Sequence, residues 1–392
     1  MIFPLIIGIL ILGVIIFAHE LGHFISAKKL KIGVDEFGLG FPPRIFGIQK
    51  KLGRWKIIRG NKESGDDKAT IYSLNWIPFG GFVKIKGSAG EEKEEARYAE
   101  DDSFEKQKIW KRFIVLSAGV FANLVIAAIF LAIGFMAGLP TVVDDGFDQS
   151  RVIDPQVQIV QIQEGSAAEI AGLEVGDVVL KMDENEFVNH EALVAYEEDK
   201  AGQEVELTYS RLGQENITKL TLMSQEETGK GIMGAGLVNT GRVAYPWYTS
   251  LWLGLKSTVI LTGKIIVAFA LLIKGLIVGQ SGVAESVAGP IGIAVLTKSF
   301  TEMGFVYLMQ FAALISINLA IFNFLPFPAL DGGRVLFLFI EKFRGGKKVS
   351  YKVEGIIHTV GFAILVMLLL VVSVRDVFSF SDSISGFINN IF

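Results

Sequence analysis

The sequence has no cysteine, and only four histidines among its 392 residues. Without thiols there is no disulfide framework and no thiolate metal site, although this says nothing about redox compartment. An excess of one charge is lacking as well. The 37 Lys and Arg stand against 41 Asp and Glu, so the balance points to no particular partner and gives no footprint for nucleic acid. With 10 Pro and 43 Gly there is no long low-complexity tract, and no internal repeat is visible. What the chain has in plenty is apolar residue. It is 51% hydrophobic with a mean hydropathy of +0.47, above the usual range of a soluble protein of this size.

That excess is concentrated in runs. A span needs roughly 20 mostly apolar residues to cross a hydrocarbon core of about 30 Å. Residues 113–139 and 303–330 qualify without a charge, and 355–374 carries only His358. The N-terminal run ending at Ala18 is a fourth candidate. It has no basic n-region, and AHELGH stands where a cleavage site should be, so it reads as a retained helix rather than a signal peptide. Residues 28–112 hold half of the basic residues, and Lys342, Arg344, Lys347, Lys348 and Lys352 lie between the last two spans. By contrast, 140–155 holds Asp144, Asp145, Asp148 and Asp154 against a single Arg. The positive-inside rule makes both basic loops cytoplasmic and places 140–302 and the C-terminus outside. Residues 250–279 are apolar enough to cross but contain Lys256, Lys264 and Lys274. One crossing there would put the basic loop 340–354 outside, so an amphipathic helix in the outer interface is favoured.

Two stretches read as something other than spans. Within 44–87, RIFGI, RWKIIRG and ATIYSLNWIPFGGFVKIKG are strand-like, and Trp76 to Phe82 form an apolar tip between strand-like arms. They fit a small cytoplasmic sheet with a buried hairpin, or a β-hairpin dipping into the membrane; the residues alone do not choose. Residues 88–105 are acidic and read as a solvated loop. In 155–240, VQIVQIQ alternates as a strand, Ser166 caps a short helix that Gly172 ends, and GDVVLKMDENEF and QEVELTYSRLG supply further strands. This α+β pattern, with Ser166-Ala-Ala-Glu-Ile-Ala-Gly-Leu and Val175-Gly176-Asp177-Val178-Val179, resembles the PDZ domain of bacterial proteases. His190 within it reads as a surface or turn residue.

The motif that carries chemistry is His19-Glu20-Leu21-Gly22-His23. On a helix, residues four apart share a face, so both imidazoles can point at one metal ion. Zinc is its natural occupant, and Glu20 can take a proton from a water at the open position. The same motif occurs by chance on exposed helices. Here it ends an apolar helix, where each unpaired charge costs about 2.5 kcal/mol or more. A third ligand is needed, and Asp331 is the best candidate. It follows Asn323, and Pro326 and Pro328 must break the helix before it. Its helix runs in the same direction as the first span. His19 lies about 24 Å along that first helix at about 1.5 Å per residue, so the two residues come to similar depth. Asp331-Gly332-Gly333 also reads as a plain capping turn. Asn318 and Asn323 either bond to a neighbouring helix or hold the substrate backbone.

HELGH in the first span, an LDGG motif in a later span and a PDZ-like unit between them resemble the site-2 proteases, in particular the RseP type of regulated intramembrane metalloprotease. The resemblance covers nearly the whole chain. It implies Zn2+ held by His19, His23 and Asp331, with Glu20 activating water and Asn323 handling substrate. It implies that Phe79 to Gly87 belong to a membrane-associated β-hairpin near the site, with Gly80, Gly81, Phe82 and Val83 contacting substrate. Ala288-Gly289-Pro290-Ile291 matches the family's GPI stretch. The chain departs from the family in reading Ala118-Gly119-Val120 for AGP, although Asn123 is kept, and in having one PDZ-like unit where many relatives have two.

The fold expected is thus an α-helical polytopic membrane protein of about four spans, in a bacterial inner (cytoplasmic) membrane, with one extracytoplasmic PDZ-like domain. The expected order is a first span (1–26), a β-rich and re-entrant region with an acidic loop (27–107), a second span (108–139) and a linker (140–154). Then come the PDZ-like domain (155–240), an interfacial segment (241–302), a third span with the LDG motif (303–338), a loop (339–354), a fourth span (355–374) and a tail (375–392). Partners would be transmembrane protein substrates, the lipid bilayer and an upstream site-1-type protease; anti-sigma factors and remnant signal peptides are the family's substrate types. The rival functions are a membrane-bound zinc peptidase for soluble or juxtamembrane peptides, and a non-catalytic PDZ scaffold.

Overall fold

The computed structural model describes residues 2–51, 54–60, 69–88, 101–143, 152–223, 233–279 and 289–379. Most of the acidic loop, part of the linker, Ala288 of the GPI stretch and the tail beyond residue 379 lie outside them. The chain divides into two compact units. One comprises Met1–Leu131, Gly254–Lys298 and Phe311–Phe392, the other Ala132–Leu253 and Ser299–Gln310.

The first unit is built on apolar helices: α1 (Ile2–Lys29), α2 (Ile109–Met136), and, after the strands and short helices given below, α5 (Trp247–Val278), α6 (Pro290–Met303), α7 (Phe305–Phe324), α8 (Asp331–Phe343) and α9 (Tyr351–Ser379). Among the described residues five helices are long and apolar enough to cross a membrane: α1, α2, α5, α7 and α9. Helix α9 leaves Phe362, Met367, Leu370 and Val371 more than half exposed, as a helix does when its solvent is lipid. The 250–279 segment is one unbroken helix, long enough to span. The 303–338 helix is broken as its two prolines require. It stops at Phe324, because Pro326 and Pro328 cannot continue the hydrogen-bond ladder, and restarts at Asp331.

A sheet of β1 (Val34–Lys51), β2 (Arg54–Arg59) and β3 (Ile71–Ile85), in the order β2-β1-β3, joins α1 to α2. Its register corrects the expected hairpin. Phe37, Gly38 and Leu39 face Val83, Phe82 and Gly81 on one side and Tyr72, Ser73 and Leu74 on the other. The two arms of β3 therefore do not pair with each other; the first part of β1 lies between them. The second part of β1 then turns back to place Gly47 and Ile48 opposite Ser73 and Tyr72. The crossing is tight: a Cβ on Gly38 would lie 2.4 Å from the Phe82 ring and 2.6 Å from Asn75 Nδ2. Buried Asn75 fastens the corner by donating to the Gly40 carbonyl at 3.0 Å. Ala27, Ile32, Val34, Ile85, Val115, Leu116, Val335 and Leu338 close a core over the ends of α1, β3, α2 and α8.

The second unit is the PDZ-like one. Its strands are β4 (Pro140–Val142), β5 (Ile153–Ile162), β6 (Val178–Met182), β7 (Asn185–Glu186), β8 (Glu204–Arg211), β9 (Gln214–Thr221) and β10 (Ala235–Arg242), with α3 (Ala167–Ile170) and α4 (His190–Glu198). They form one antiparallel sheet in the order β4-β10-β5-β6-β8-β9, with β7 on β6. The Ser166 hydroxyl caps α3 by accepting from Glu169 N–H, and Gly172 ends it at a φ of 74°, as the local pattern predicts. Val157, Ile159, Val179, Met182, Leu193, Leu207 and Leu222 fill the core.

Candidate metal centre

Helix α1 sets His19 and His23 one turn apart, both buried, with their Nε2 atoms 3.1 Å apart. Asp331, the first residue of α8, brings Oδ2 to 3.0 Å from His19 Nε2 and 3.2 Å from His23 Nε2. Four ligands at about 2.0–2.1 Å from a tetrahedral zinc lie roughly 3.3 Å from one another, so this triangle has nearly the size of one face of that tetrahedron.

The outer hydrogen bonds show what these nitrogens present. His23 Nδ1 lies 2.7 Å from the Val115 carbonyl, which can only accept, so the proton is on Nδ1 and Nε2 offers a lone pair. His19 Nδ1 lies 3.3 Å from the Asn123 amide nitrogen, while Asn123 Oδ1 is buried with no partner among the described residues. Turning that amide over satisfies the orphaned oxygen with His19 Nδ1–H and leaves His19 Nε2 as a lone pair too. Two lone pairs 3.1 Å apart, beside a carboxylate, repel one another unless a cation sits among them. The residues fit a bound metal.

Small residues admit this arrangement. A Cβ on Gly119 of α2 would lie 2.4 Å from His23 Nε2 and 2.7 Å from His19 Nε2. A Cβ on Gly22 would lie 2.4 Å from the Ala118 carbonyl, so α1 and α2 meet backbone to backbone. Gly332 and Gly333 do the same for α8, where added methyl groups would meet the Leu325 and Phe327 carbonyls at 2.2 and 2.3 Å.

Glu20 and Asn323 line a cavity of about 230 Å³ together with Ile16, His19, Asn123, Leu319, Ala329, Leu330 and Asp331. Val83 N–H donates to Glu20 Oε2 at 3.1 Å, which brings the last arm of β3 against the motif. Gly80 and Gly81 lie against Ile16 and Phe17 of α1, while the Phe82 ring packs over Gly38. Of the expected substrate-contacting set, Asn323 lines the cavity, Val83 touches its wall through Glu20, and Gly80, Gly81 and Phe82 are not among its lining residues. His190 begins α4, partly exposed. The sequence singled out Gly119 and Asn123 only as family motif positions, without a role, and Val115 not at all. The signal for Gly119 was there, in small residues facing across two apolar helices: Gly22 against Ala118, Gly119 and Ala122. None existed for Val115, which acts through its backbone.

Residues 7–59 and 63–368 match the description of peptidase family M50. Zinc metalloprotease RasP of Geobacillus kaustophilus is 27% identical over 95% of this chain and 97% of its own. RasP of Oceanobacillus iheyensis is 28% identical over 94% and 97%. A Clostridium acetobutylicum protein reaches 30% over 96% and 97%. Among solved structures, the PDZ domain of an SdrC-like protein from Listeria monocytogenes is similar to 24% of this chain and 93% of its own length, at 20% identity and a TM-score of 0.19. With its matched family and its His-His-Asp group, this membrane chain belongs to peptidase family M50, the site-2 proteases, and is a zinc metalloprotease of the RseP type.

Proposed function

We propose that the protein is an intramembrane endopeptidase that cuts peptide bonds in or near transmembrane segments, with zinc held by His19, His23 and Asp331. The observation that carries this reading is the convergence of three donor atoms within 3.2 Å of one another, beside a cavity that His19, Asp331 and Glu20 line. Zinc, when bound, supplies Lewis-acid polarisation of water and of the scissile carbonyl. Glu20 takes the proton from the attacking water and returns it to the leaving amine. The Asn123 and Val115 carbonyl oxygens hold both imidazoles in the tautomer that points Nε2 inward.

The substrate has to be locally extended, because a helix spends its carbonyls on internal hydrogen bonds. Residues 81–85 are the outermost strip of the sheet, and Val83 directs an N–H from that strip to Glu20. A substrate segment added along Gly80, Gly81, Phe82 and Val83 would run past the base, and Asn323 would hold its backbone from the opposite wall. We place the chain in a bacterial cytoplasmic membrane with four spans, α5 in the outer interface and the PDZ-like unit outside. There it admits membrane substrates already trimmed by an upstream protease.

The test is cleavage of a single-span substrate and of soluble peptides by purified protein, beside Glu20→Gln. A 10²–10⁴-fold loss in Glu20→Gln with zinc retained is expected, roughly what removal of a general base costs. Equal cleavage by both proteins would remove Glu20 from the mechanism. Cleavage of soluble peptides alone would support the zinc peptidase reading, and none at all the scaffold.

A further inference from the structure

The turn from Leu325 to Leu330 delivers Asp331, and it is held in an uncommon shape. Ala329 has a φ of 77°, in the left-handed region that residues other than Gly, Asn and Asp rarely occupy. Phe327 N–H and Leu330 N–H find backbone acceptors inside the turn, at Leu325 O (2.7 Å) and Phe327 O (3.2 Å). Ala329 N–H instead donates to Nδ1 of His358 on α9, at 2.8 Å.

One helical turn further along α9, Gly361 abuts the preceding residue. A Cβ there would lie 2.4 Å from Pro328 Cβ and 2.8 Å from the Pro328 carbonyl. Helix α9 thus grips two consecutive residues, Pro328 and Ala329, directly before Leu330 and Asp331. Gly332 and Gly333 close the turn from its other side through their contacts with the Leu325 and Phe327 carbonyls. Since Nδ1 accepts, the His358 proton is on Nε2, which faces Glu354 Oε1 at 3.9 Å. The bond gives the Ala329 N–H an acceptor that the turn itself does not supply, so it favours this geometry of the turn.

We propose that His358 is a positioning residue for the metal centre: through Ala329 N–H it fixes the turn that carries Asp331 Oδ2 to the two imidazoles. The proposal rests on the reading of Asp331 as a zinc ligand. A packing role alone is the competing explanation, since the His358 ring also lies 5.5 Å from that of Phe337.

The two explanations separate in variants of the full-length protein. An Asn at this position can place Oδ1 near the site of Nδ1, whereas the Gln amide reaches to the Nε2 side. Zinc retention is measured by chelator competition, and melting is measured on the metal-free protein. His358→Ala and His358→Gln are expected to hold zinc about tenfold more weakly, the usual effect of losing a group that orients a ligand. His358→Asn should hold it close to wild type, and metal-free melting should be alike in Asn and Gln variants. If His358→Ala does not fold, the Asn and Gln pair still decides the matter. Equal retention by Asn and Gln variants would overturn the proposal, as would weakened retention that tracks a lower metal-free melting temperature. Asp331→Ala is the control. Undiminished zinc there removes Asp331 from the ligand set and this proposal with it. Diminished zinc there, with wild-type retention in every His358 variant, overturns the proposal for His358 alone.

Discussion

Among the described residues of the PDZ-like unit, the buried carboxylates Asp177 and Glu197 take their partners from within the unit, fully at Asp177 and at one oxygen only of Glu197. Asp177, 1% exposed, receives Arg211 Nε and Nη2 at 2.8 and 2.7 Å and Glu174 N–H at 2.8 Å, which ties the loop before β6 to the end of β8. That pairing holds the Arg211 guanidinium above its ordinary pKa. Buried Glu197 accepts Met233 N–H at 3.2 Å. In the helical unit the pattern is reversed. His19 and His23 each have an outward partner that fixes the ring, yet their inward atoms face one another and Asp331 Oδ2 with no proton to share between the two imidazoles. Buried polar groups that satisfy one another build a fold; buried lone pairs that all point at one place make a binding site. The comparison separates the unit that needs a cation from the one that does not.

The largest test of that contrast is Gly119→Ala. Its methyl group would enter the donor triangle at 2.4 Å from His23 Nε2. Zinc content and proteolysis should both fall below detection, while hydrogen exchange in β5 to β10 stays as in wild type. Gly134→Ala, on the same helix, would meet only the Leu139 side chain, no nearer than 3.5 Å, and should retain full zinc. If Gly119→Ala binds zinc normally, the imidazoles are not where this geometry puts them.

Next in size is Asp177→Ala. Breaking a buried ion pair by removing one partner costs about 3–5 kcal/mol, and here the lower end applies because Arg211 is 29% exposed. The expected outcome is early melting of the PDZ-like unit, read by exchange or limited proteolysis, with zinc retention unchanged. A fall in zinc affinity would mean that the two units are not energetically separate.

How far the sequence disclosed this depends on the range of the interactions involved. HELGH was legible because one helical turn relates its ligands, and the PDZ-like elements because caps, turns and alternation are local signals: the Ser166 cap, the Gly172 stop and the strand Glu204–Arg211 running into a turn all stand where the pattern put them. Asp331 was legible only through two prolines and the matching direction of two spans. The weave of β1 and β3 was not legible, since the apolar run from Trp76 to Phe82 suits a hairpin tip as well as two arms parted by another strand. Nor was the role of His358, whose partner is the backbone N–H of Ala329, a group that leaves no trace in residue type. The length of α5 was visible, but length alone does not distinguish a span from an interfacial helix.

The smallest effect is expected at Glu197, and there it has a pH signature. Burial raises its carboxyl from an ordinary 4.5 to about 7, with the Met233 N–H only partly opposing the shift. The folded state therefore keeps a proton that the unfolded state has already lost. Stability must fall as pH rises from about 4.5 to about 7 and then level off, because over that window folding has to take up a proton or bury a charge. Glu197→Gln removes the titration but keeps an oxygen for Met233 N–H. Against wild type it should be nearly neutral near pH 5 and stabilising by at most about 3 kcal/mol near pH 8. Exchange rates of β10 amides, compared between the two proteins at each pH, would show the difference free of the intrinsic pH dependence of exchange. A loss of equal size at both pH values would mean that Glu197 is charged throughout, held by an interaction stronger than its single backbone donor. The PDZ-like unit would then share with the metal centre a buried charge answered from outside its immediate neighbours, and the contrast between the two units would narrow at that residue.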